Sequence, residues 1–595
     1  MFLLSALRFK QSTCLHVRKL STYLLKMAPV LSVRSVDQEE RLQITFRYGM
    51  SEDNTRVYNF DRLKTEPLGT TIERLQLNVE KHVFKKKKKK SQTGNESERR
   101  ILVELLNADK KVDIEKPNLD AWTSGSQLRI GETVFDVEIN MPTVTSTELP
   151  EVCLSGFPIV PRIEFEFVDD ETPCEINWFR EIRDDLDAQA GIKKIKKNPP
   201  ESACKWSLIG KGEMYVPTDD DLEHRIKMEC TPIRGSLRGF PEEMVTKNCV
   251  KKGPAKCPFE NRHLQTTNIL DDKGVRIVSY NLLADLYADS DFSRNMLFPH
   301  CPPEYLQIDY RLNLFIKELQ GYNADVLCLQ EVDRKVFKYN LCPAFHSFTG
   351  YFKGKGEIAE GTAIFFRKSK FKLLGCHDIM LRDEFGSNSQ FAELRDKIEK
   401  CQQLKERFDE RNTILQVLVL ESVMNPENCV VVATSHLYFH PNADHIRLLQ
   451  INVCLQHIHA VVHMYRLKDK DPAVIFAGDF NSSINSAVLR YLQNGFICEN
   501  DPGWLSAGKP EYADGASLKH KLPIVNACGI PKFTNFVPGF CGTLDWIFVD
   551  KEQFTLDQVV PLPNAEEILV HSALPNQVFP SDHLALVCDV YWNKR

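Results

Sequence analysis

Six fragments in the second half of the chain each join an apolar run to a residue able to do chemistry. Residues 326–331 read Val-Leu-Cys-Leu-Gln-Glu and close on the carboxylate of Glu331. Residues 474–481 read Val-Ile-Phe-Ala-Gly-Asp-Phe-Asn, which places Asp479 and Asn481 on one side of an extended segment. Residues 278–281 end in the amide of Asn281, and residues 434–436 end in the imidazole of His436. Asp545 opens the run Asp-Trp-Ile-Phe, and Ser581 precedes the pair Asp582-His583. Carboxylates are rarely buried without a counter-charge. Several at strand ends therefore imply a divalent cation, and an oxygen-rich ligand set points to Mg²⁺, or Mn²⁺, rather than zinc. Each fragment alone is an ordinary turn or surface pair; six in this order, each at the edge of an expected strand, are not a chance set.

The elements that must carry these residues begin after Lys251. β-Branched apolar runs at 275–279, 326–329, 363–366, 415–420, 430–433, 474–476, 546–549 and 584–587 alternate with amphipathic helical patterns. Leu312, Phe315, Ile316 and Leu319 make one helical face that stops at Gly321, and a second helix is expected over 443–464. Recurring strands and helices of this kind predict a layered α+β domain over 270–595. Residues 381–412 interrupt it with a charge-rich helical insertion, read as a solvated helix pair in preference to a flap over a cleft.

The first half shows β patterning and no chemistry. Residues 37–150 read as a small β-rich module with one helix near 72–79, interrupted by the six lysines 85–90, which are expected to be a flexible solvated insertion. Residues 151–255, with strict alternation at 163–167 and Trp178 and Trp206 nearby, suggest an immunoglobulin-like β-sandwich acting as a binding or positioning module. Residues 1–36 hold six Lys/Arg and no acid, interleaved with leucines and Ser/Thr, the signature of a mitochondrial presequence, so the expected location is the mitochondrial matrix. Composition fits a folded chain: of 595 residues, 43% are hydrophobic and 26% charged. The net charge of -5 argues, as an average, against a generally basic nucleic-acid binder, though not against a local basic groove. No apolar run approaches the ~18 residues of a membrane helix. The 18 cysteines are scattered without a CxxC pair, so free thiols are expected.

Taken in order, the six fragments resemble the endonuclease/exonuclease/phosphatase superfamily of metal-dependent phosphodiesterases. Residues 279–287, Asp309-Tyr310-Arg311 and residues 322–333 are similar to its deadenylase branch, the CCR4/nocturnin group. No leucine-rich repeat precedes them; residues 215–218, 437–441 and 535–540 instead resemble the 2′-phosphodiesterases that degrade 2′,5′-oligoadenylates and trim poly(A). The resemblance implies a four-layer α/β/β/α sandwich behind β-rich N-terminal modules. It further implies Glu331 as the main Mg²⁺ ligand, with Asn281, Asp582, Asp479 and Asn481 also at the metal site, Asp479 orienting or deprotonating the attacking water and Asn481 fixing that water or a phosphate oxygen. His583, held by Asp545, would bind the scissile phosphate or manage a proton, and His436 would be a second phosphate contact. Phosphodiester hydrolysis needs such parts: neutralised non-bridging oxygens, an aligned water and help for the leaving oxygen. Adenine recognition is expected from stacking on Phe536, Phe540 or Tyr438, with Asn535 at a base edge. The implied substrates are single-stranded poly(A) RNA and 2′,5′-oligoadenylates, with 5′-AMP released from the 3′ end. A deadenylase restricted to 3′,5′ linkages and an inactive RNA-binding scaffold are the alternatives.

Overall fold

The computed structural model describes residues 29–49, 55–85, 100–169, 173–183, 204–508 and 516–593. The chain divides into two compact units: Met1–Ser146 with Glu164–Glu175 and Cys230–Glu242, and Thr147–Ile163 with Ile176–Glu229 and Glu243–Arg595.

The first unit is built on a seven-stranded sheet. An interior strand, Val30–Arg34, buries Leu31 and Val33 and leaves the residues between them half exposed, the period-2 pattern of a strand with one covered face. That strand runs parallel to Thr133–Ile139 and antiparallel to Arg41–Tyr48. Helix Leu68–Lys85 supplies Leu75 and Val79 to the core around Phe46 and Phe135. Residues 30–34, counted by composition with the basic leader, therefore belong to the folded unit, because their alternating apolar residues complete the sheet. The rest of the leader, residues 1–28, and lysines 86–90 lie outside the described residues.

Residues 151–255, expected as an immunoglobulin-like sandwich, hold a five-stranded sheet and one strand of a two-stranded ribbon among the described residues. They are shared between the two units, so the expected limits at 150 and 255 do not bound a compact body. In the second unit, Trp178 is buried and stacks on Tyr215 with ring centroids 5.9 Å apart. No disulfide joins the cysteines among the described residues.

The rest of the second unit is a four-layer sandwich. Its first sheet uses β1 (Gly274–Asn281), β2 (Val326–Asp333), β3 (Phe348–Gly354), β4 (Glu360–Arg367), β11 (Phe554–Val559) and β12 (Leu586–Trp592), in the order β3-β4-β2-β1-β12-β11. Its second uses β5 (Phe371–Cys376), β6 (Ile414–Ser422), β7 (Cys429–His436), β8 (Ala473–Asp479), β9 (Ile524–Asn526) and β10 (Asp545–Asp550), in the order β5-β6-β7-β8-β10-β9. Each sheet has one parallel pair, β1 with β2 and β7 with β8. Each pair is joined by a crossover helix, α1 (Ile308–Gly321) and α2 (Asp444–Arg466). Alternation along the strands assigns the layers. Val275, Ile277, Val326, Cys328 and Ile364 join the core between the sheets, whereas Val278, Tyr280, Leu327, Leu329 and Phe365 meet Leu312, Phe315 and Leu319 of α1.

Two local expectations change. Gly321 is not the left-handed cap of α1: Tyr322 after it is still helical and Asn323, with φ of 49°, takes the left-handed position, while a Cβ at 321 would lie 2.1 Å from the His263 imidazole. The insertion after Met380 forms three short helices, Leu381–Ser387, Ala392–Ile398 and Gln402–Asp409. It is not a solvated pair: Leu381, Phe385, Phe391, Ile398, Leu404 and Phe408 all join the main core. Charged residues dominate the composition there, but apolar ones at helical spacing decide the packing.

Candidate active site

Strand register brings the six fragments to one edge. Because β1 and β2 are parallel, Asn281 stands opposite Gln330, one residue before Glu331. Because β7 and β8 are parallel, His436 stands opposite Asp479. β10 is antiparallel to β8, so its first residue, Asp545, meets the last residue of β8, Asp479. The loop 580–585 then enters β12 beside β1 and delivers Asp582 and His583 to the same end. Close approach is built in at Gly478, where a Cβ would come within 2.1 Å of the Ser435 carbonyl oxygen.

Asn281 joins the two sheets. Its Nδ2 donates to Glu331 Oε1 at 3.0 Å and to Asp479 Oδ2 at 3.1 Å. Glu331 sits at a break in the β2–β4 pairing with φ of 51°, a left-handed conformation costly for a non-glycine residue, which turns its carboxylate into the cleft. Its Oε2 accepts the Ala284 N–H at 3.1 Å. Asp479 Oδ1 accepts the Asn481 N–H at 2.9 Å, and its Oδ2 lies 3.6 Å from both His436 Nε2 and His583 Nε2. Asn481 donates its side-chain amide to the Leu437 carbonyl at 2.9 Å, pinning the chain that follows His436.

The two histidines are shifted in opposite directions. Burial opposes a charge on His583, but the carboxylates of Asp545, Asp479 and Asp582 outweigh it and raise its pKa well above the ordinary value. Asp545 Oδ2 is 2.8 Å from His583 Nδ1 and also accepts the Thr534 hydroxyl at 2.6 Å. His436 is pushed well below its ordinary value by burial, helped by Lys355 and the charge on His583. At neutral pH, then, His583 is an imidazolium and His436 a neutral imidazole.

The acids show where a cation fits. Burial, with Asp582 and Glu360 nearby, raises the Glu331 carboxyl to about 7. Burial, with Asp545 beside it, also raises Asp479. Among the described residues, Asp479, Asp545 and His583 form the one acid–histidine trio whose ligand atoms are close enough to share an ion. Its hydrogen bonds weigh against it: His583 Nδ1 and the Thr534 hydroxyl are both held by Asp545 Oδ2, which leaves that carboxylate only its unpartnered Oδ1. Glu331 and Asp479 are the better fit, since a divalent cation would offset the burial and the neighbouring carboxylates that keep both hard to ionise; Asn281, expected as a ligand, turns its Nδ2 to both acids and its Oδ1 to the Leu283 N–H, so it positions them.

The remaining expected residues fall differently. Asp582 accepts the Asn535 amide at 3.1 Å, so Asn535 orients a carboxylate and does not offer its amide to a base edge. Phe536 is half-buried, packed edge-on against Phe533 at 5.3 Å, whereas Phe540 is 46% exposed. Both line a cleft with His300, Pro299 and Cys541. The Tyr438 ring is taken up by the guanidinium groups of Arg407 at 5.5 Å and Arg411 at 4.7 Å. Its neighbour Phe439, 70% exposed, is the open ring there. Lys355 escaped the sequence reading: its Nζ lies 2.9 Å from Glu360 Oε1 and 3.4 Å from His436 Nδ1. Only the Gly354-Lys355-Gly356 turn hinted at it, and such turns are common.

Comparison with known proteins identifies the family. Residues 432–583 match the Endonuclease/Exonuclease/phosphatase family, and residues 141–251 match a family described as 2′,5′-phosphodiesterase 12-like, N-terminal domain. The 2′,5′-phosphodiesterase 12 of Homo sapiens is 38% identical over 94% of this chain and 93% of its own length. The CCR4-Not complex 3′-5′-exoribonuclease subunit Ccr4 of Saccharomyces cerevisiae is 25% identical over 56% of this chain and 41% of its own. Among solved structures, ANGEL2, a 2′,3′-cyclic phosphatase bound to adenosine-2′,3′-vanadate, is 22% identical with a TM-score of 0.44, covering 54% of this chain and 96% of that one. The chain is thus an enzyme of the phosphodiesterase and exonuclease class, and it belongs to the 2′,5′-phosphodiesterase 12 family.

Proposed function

We propose that the protein is a Mg²⁺-dependent exoribonuclease, with Mn²⁺ as a substitute, that removes 5′-AMP from the 3′ ends of 2′,5′-oligoadenylates and 3′,5′ poly(A) in the mitochondrial matrix. The observation that carries the reading is the Asn281 amide spanning Glu331 and Asp479, which places a cation-seeking carboxylate of one sheet beside a base of the other. Glu331 and Asp479 would hold the ion, with the Asn281 amide keeping them side by side. When bound, it supplies charge neutralisation on the phosphate oxygens. His583 binds a non-bridging phosphate oxygen as an imidazolium and stays protonated because Asp545 holds its Nδ1. Asp479, fixed by the Asn481 N–H, takes the proton of the attacking water; a raised carboxyl suits that role near neutral pH. Phe540 and Phe439 offer open rings for adenine.

The substrate part of this reading rests on the names of the relatives and on the exposed rings. Incubating the full chain with the 2′,5′- and 3′,5′-linked adenylate trimers tests it. AMP release from both is expected; no release from the 2′,5′ trimer leaves the 3′,5′-restricted deadenylase. The basic, acid-free leader supports the location. A fluorescent fusion lacking residues 1–26 is expected to lose mitochondrial accumulation, and unchanged accumulation refutes the presequence.

A further inference from the structure

The arginine of the Asp309-Tyr310-Arg311 motif touches none of the site residues, yet it is fully buried. It stands near the start of α1 without a carboxylate in hydrogen-bonding range; the nearest, Asp285 Oδ1, is 3.9 Å from Nη2, which has no hydrogen-bond partner. An unpaired interior guanidinium is costly, so its contacts need a reason. Its acceptors are all main-chain carbonyls: Nε donates to Leu306 at 2.9 Å, and Nη1 to Leu283 at 2.7 Å, Leu282 at 3.1 Å and Pro580 at 3.3 Å.

Three of those carbonyls, of Leu282, Leu283 and Pro580, belong to the two loops that deliver the site. In a trans peptide the C=O and the following N–H point opposite ways, so fixing one aims the other. The Leu283 carbonyl faces Arg311, and the Ala284 N–H of the same peptide unit donates to Glu331 Oε2. The Leu282 carbonyl faces Arg311, and the next N–H, that of Leu283, donates at 2.9 Å to Asn281 Oδ1. Leu283 itself holds a left-handed φ of 50°. Pro580 precedes Ser581, whose hydroxyl donates to the Asn281 carbonyl at 2.7 Å and accepts the His583 N–H at 3.1 Å.

We propose that Arg311 is a positioning residue for the cation site: through two peptide units it orients the Glu331 carboxylate and the Asn281 amide, and it locks their loop to the one carrying Asp582 and His583. This rests on the metal-dependent reading above. The test compares full-length wild type, R311M and R311K by Mn²⁺ binding, followed by electron paramagnetic resonance without substrate, together with kcat, KM and circular dichroism. R311M is expected to bind Mn²⁺ at least 10-fold more weakly and to lose 10- to 100-fold in kcat with KM within about 3-fold, the range found when groups orienting metal ligands are removed. R311K, whose single ammonium cannot reach Leu306 and the three other carbonyls together, is expected about 3- to 10-fold weaker in Mn²⁺ binding. Either variant folded with wild-type Mn²⁺ affinity overturns the proposal, and if R311M does not fold, R311K decides alone. A wild type that binds no Mn²⁺ removes the metal-dependent reading and this inference together; binding retained in wild type and unchanged in the variants removes only this one.

Discussion

His583 Nδ1 lies 2.8 Å from Asp545 Oδ2, while its Nε2 faces Asp479 Oδ2 at 3.6 Å, so one imidazole stands between two carboxylates. A ring held this way has one tautomer and one charge when a phosphate arrives. Asp545→Asn removes the charge that does most to keep the proton on. The His583 pKa is raised in the folded state, so the linked stability is fully present below the unfolded value of about 6.5 and is lost as pH climbs through the folded value. D545N is therefore expected to lower kcat by at least about 10-fold and move the alkaline limb of the rate profile to lower pH. An unmoved limb would count against the imidazolium.

Glu331→Gln is expected to abolish metal-dependent turnover and to leave the fold intact. The Glu331 carboxyl is raised to about 7 without a cation, so between about pH 4.3 and 7 the native state binds the extra proton and stability falls as pH rises. The amide variant escapes this cost, which is on the order of 3 kcal/mol for a carboxyl raised to about 7 and smaller after solvent screening. Metal-free E331Q should melt at or above the wild-type temperature at pH 7, and only wild type should gain with added Mn²⁺. A large Mn²⁺-induced gain in E331Q would reassign the ligand.

Lys355→Met removes the ammonium between Glu360 and His436. Lys355 helps hold His436 neutral, so the variant is expected to raise the His436 pKa and lower kcat/KM by about 10- to 100-fold, roughly 1.4–2.7 kcal/mol. Steady-state kinetics across pH 5–9 would show it. Wild-type kcat/KM would make Lys355 a structural partner of Glu360 alone.

Phe408→Ala tests the insertion after Met380. A phenylalanine on a solvated helix costs little to truncate; one in the main core costs about 3–5 kcal/mol. Urea unfolding should report the larger value, with the slope against denaturant unchanged. A cost below about 1 kcal/mol would return this segment to the surface.

The residues able to do chemistry could be read from the chain because each strand writes its own ending. An apolar run that stops at Glu331, Asp479 or Asn281 marks a strand end by its neighbours alone. The same locality explains the errors. Residues 381–412 look solvated by charge count, since which face of a helix is covered depends on partners far away. Tyr438 and Asn535 have the chemistry to grip adenine, but Arg407, Arg411 and Asp582 already occupy them. Arg311 looked like a family signature and nothing more.

By itself, the sequence determined the parts: six polar endings, an oxygen-rich set suited to a hard cation, and two crossover helices that make parallel pairs possible. Only tertiary structure decided that Asn281 reaches both Glu331 and Asp479, that His583 and His436 are shifted in opposite directions, and that Arg311 serves loops some 300 residues apart. The reason is physical. Residue type and strand ends are local properties, but register across sheets, desolvation and the charges facing a buried group are sums over atoms that folding brings together.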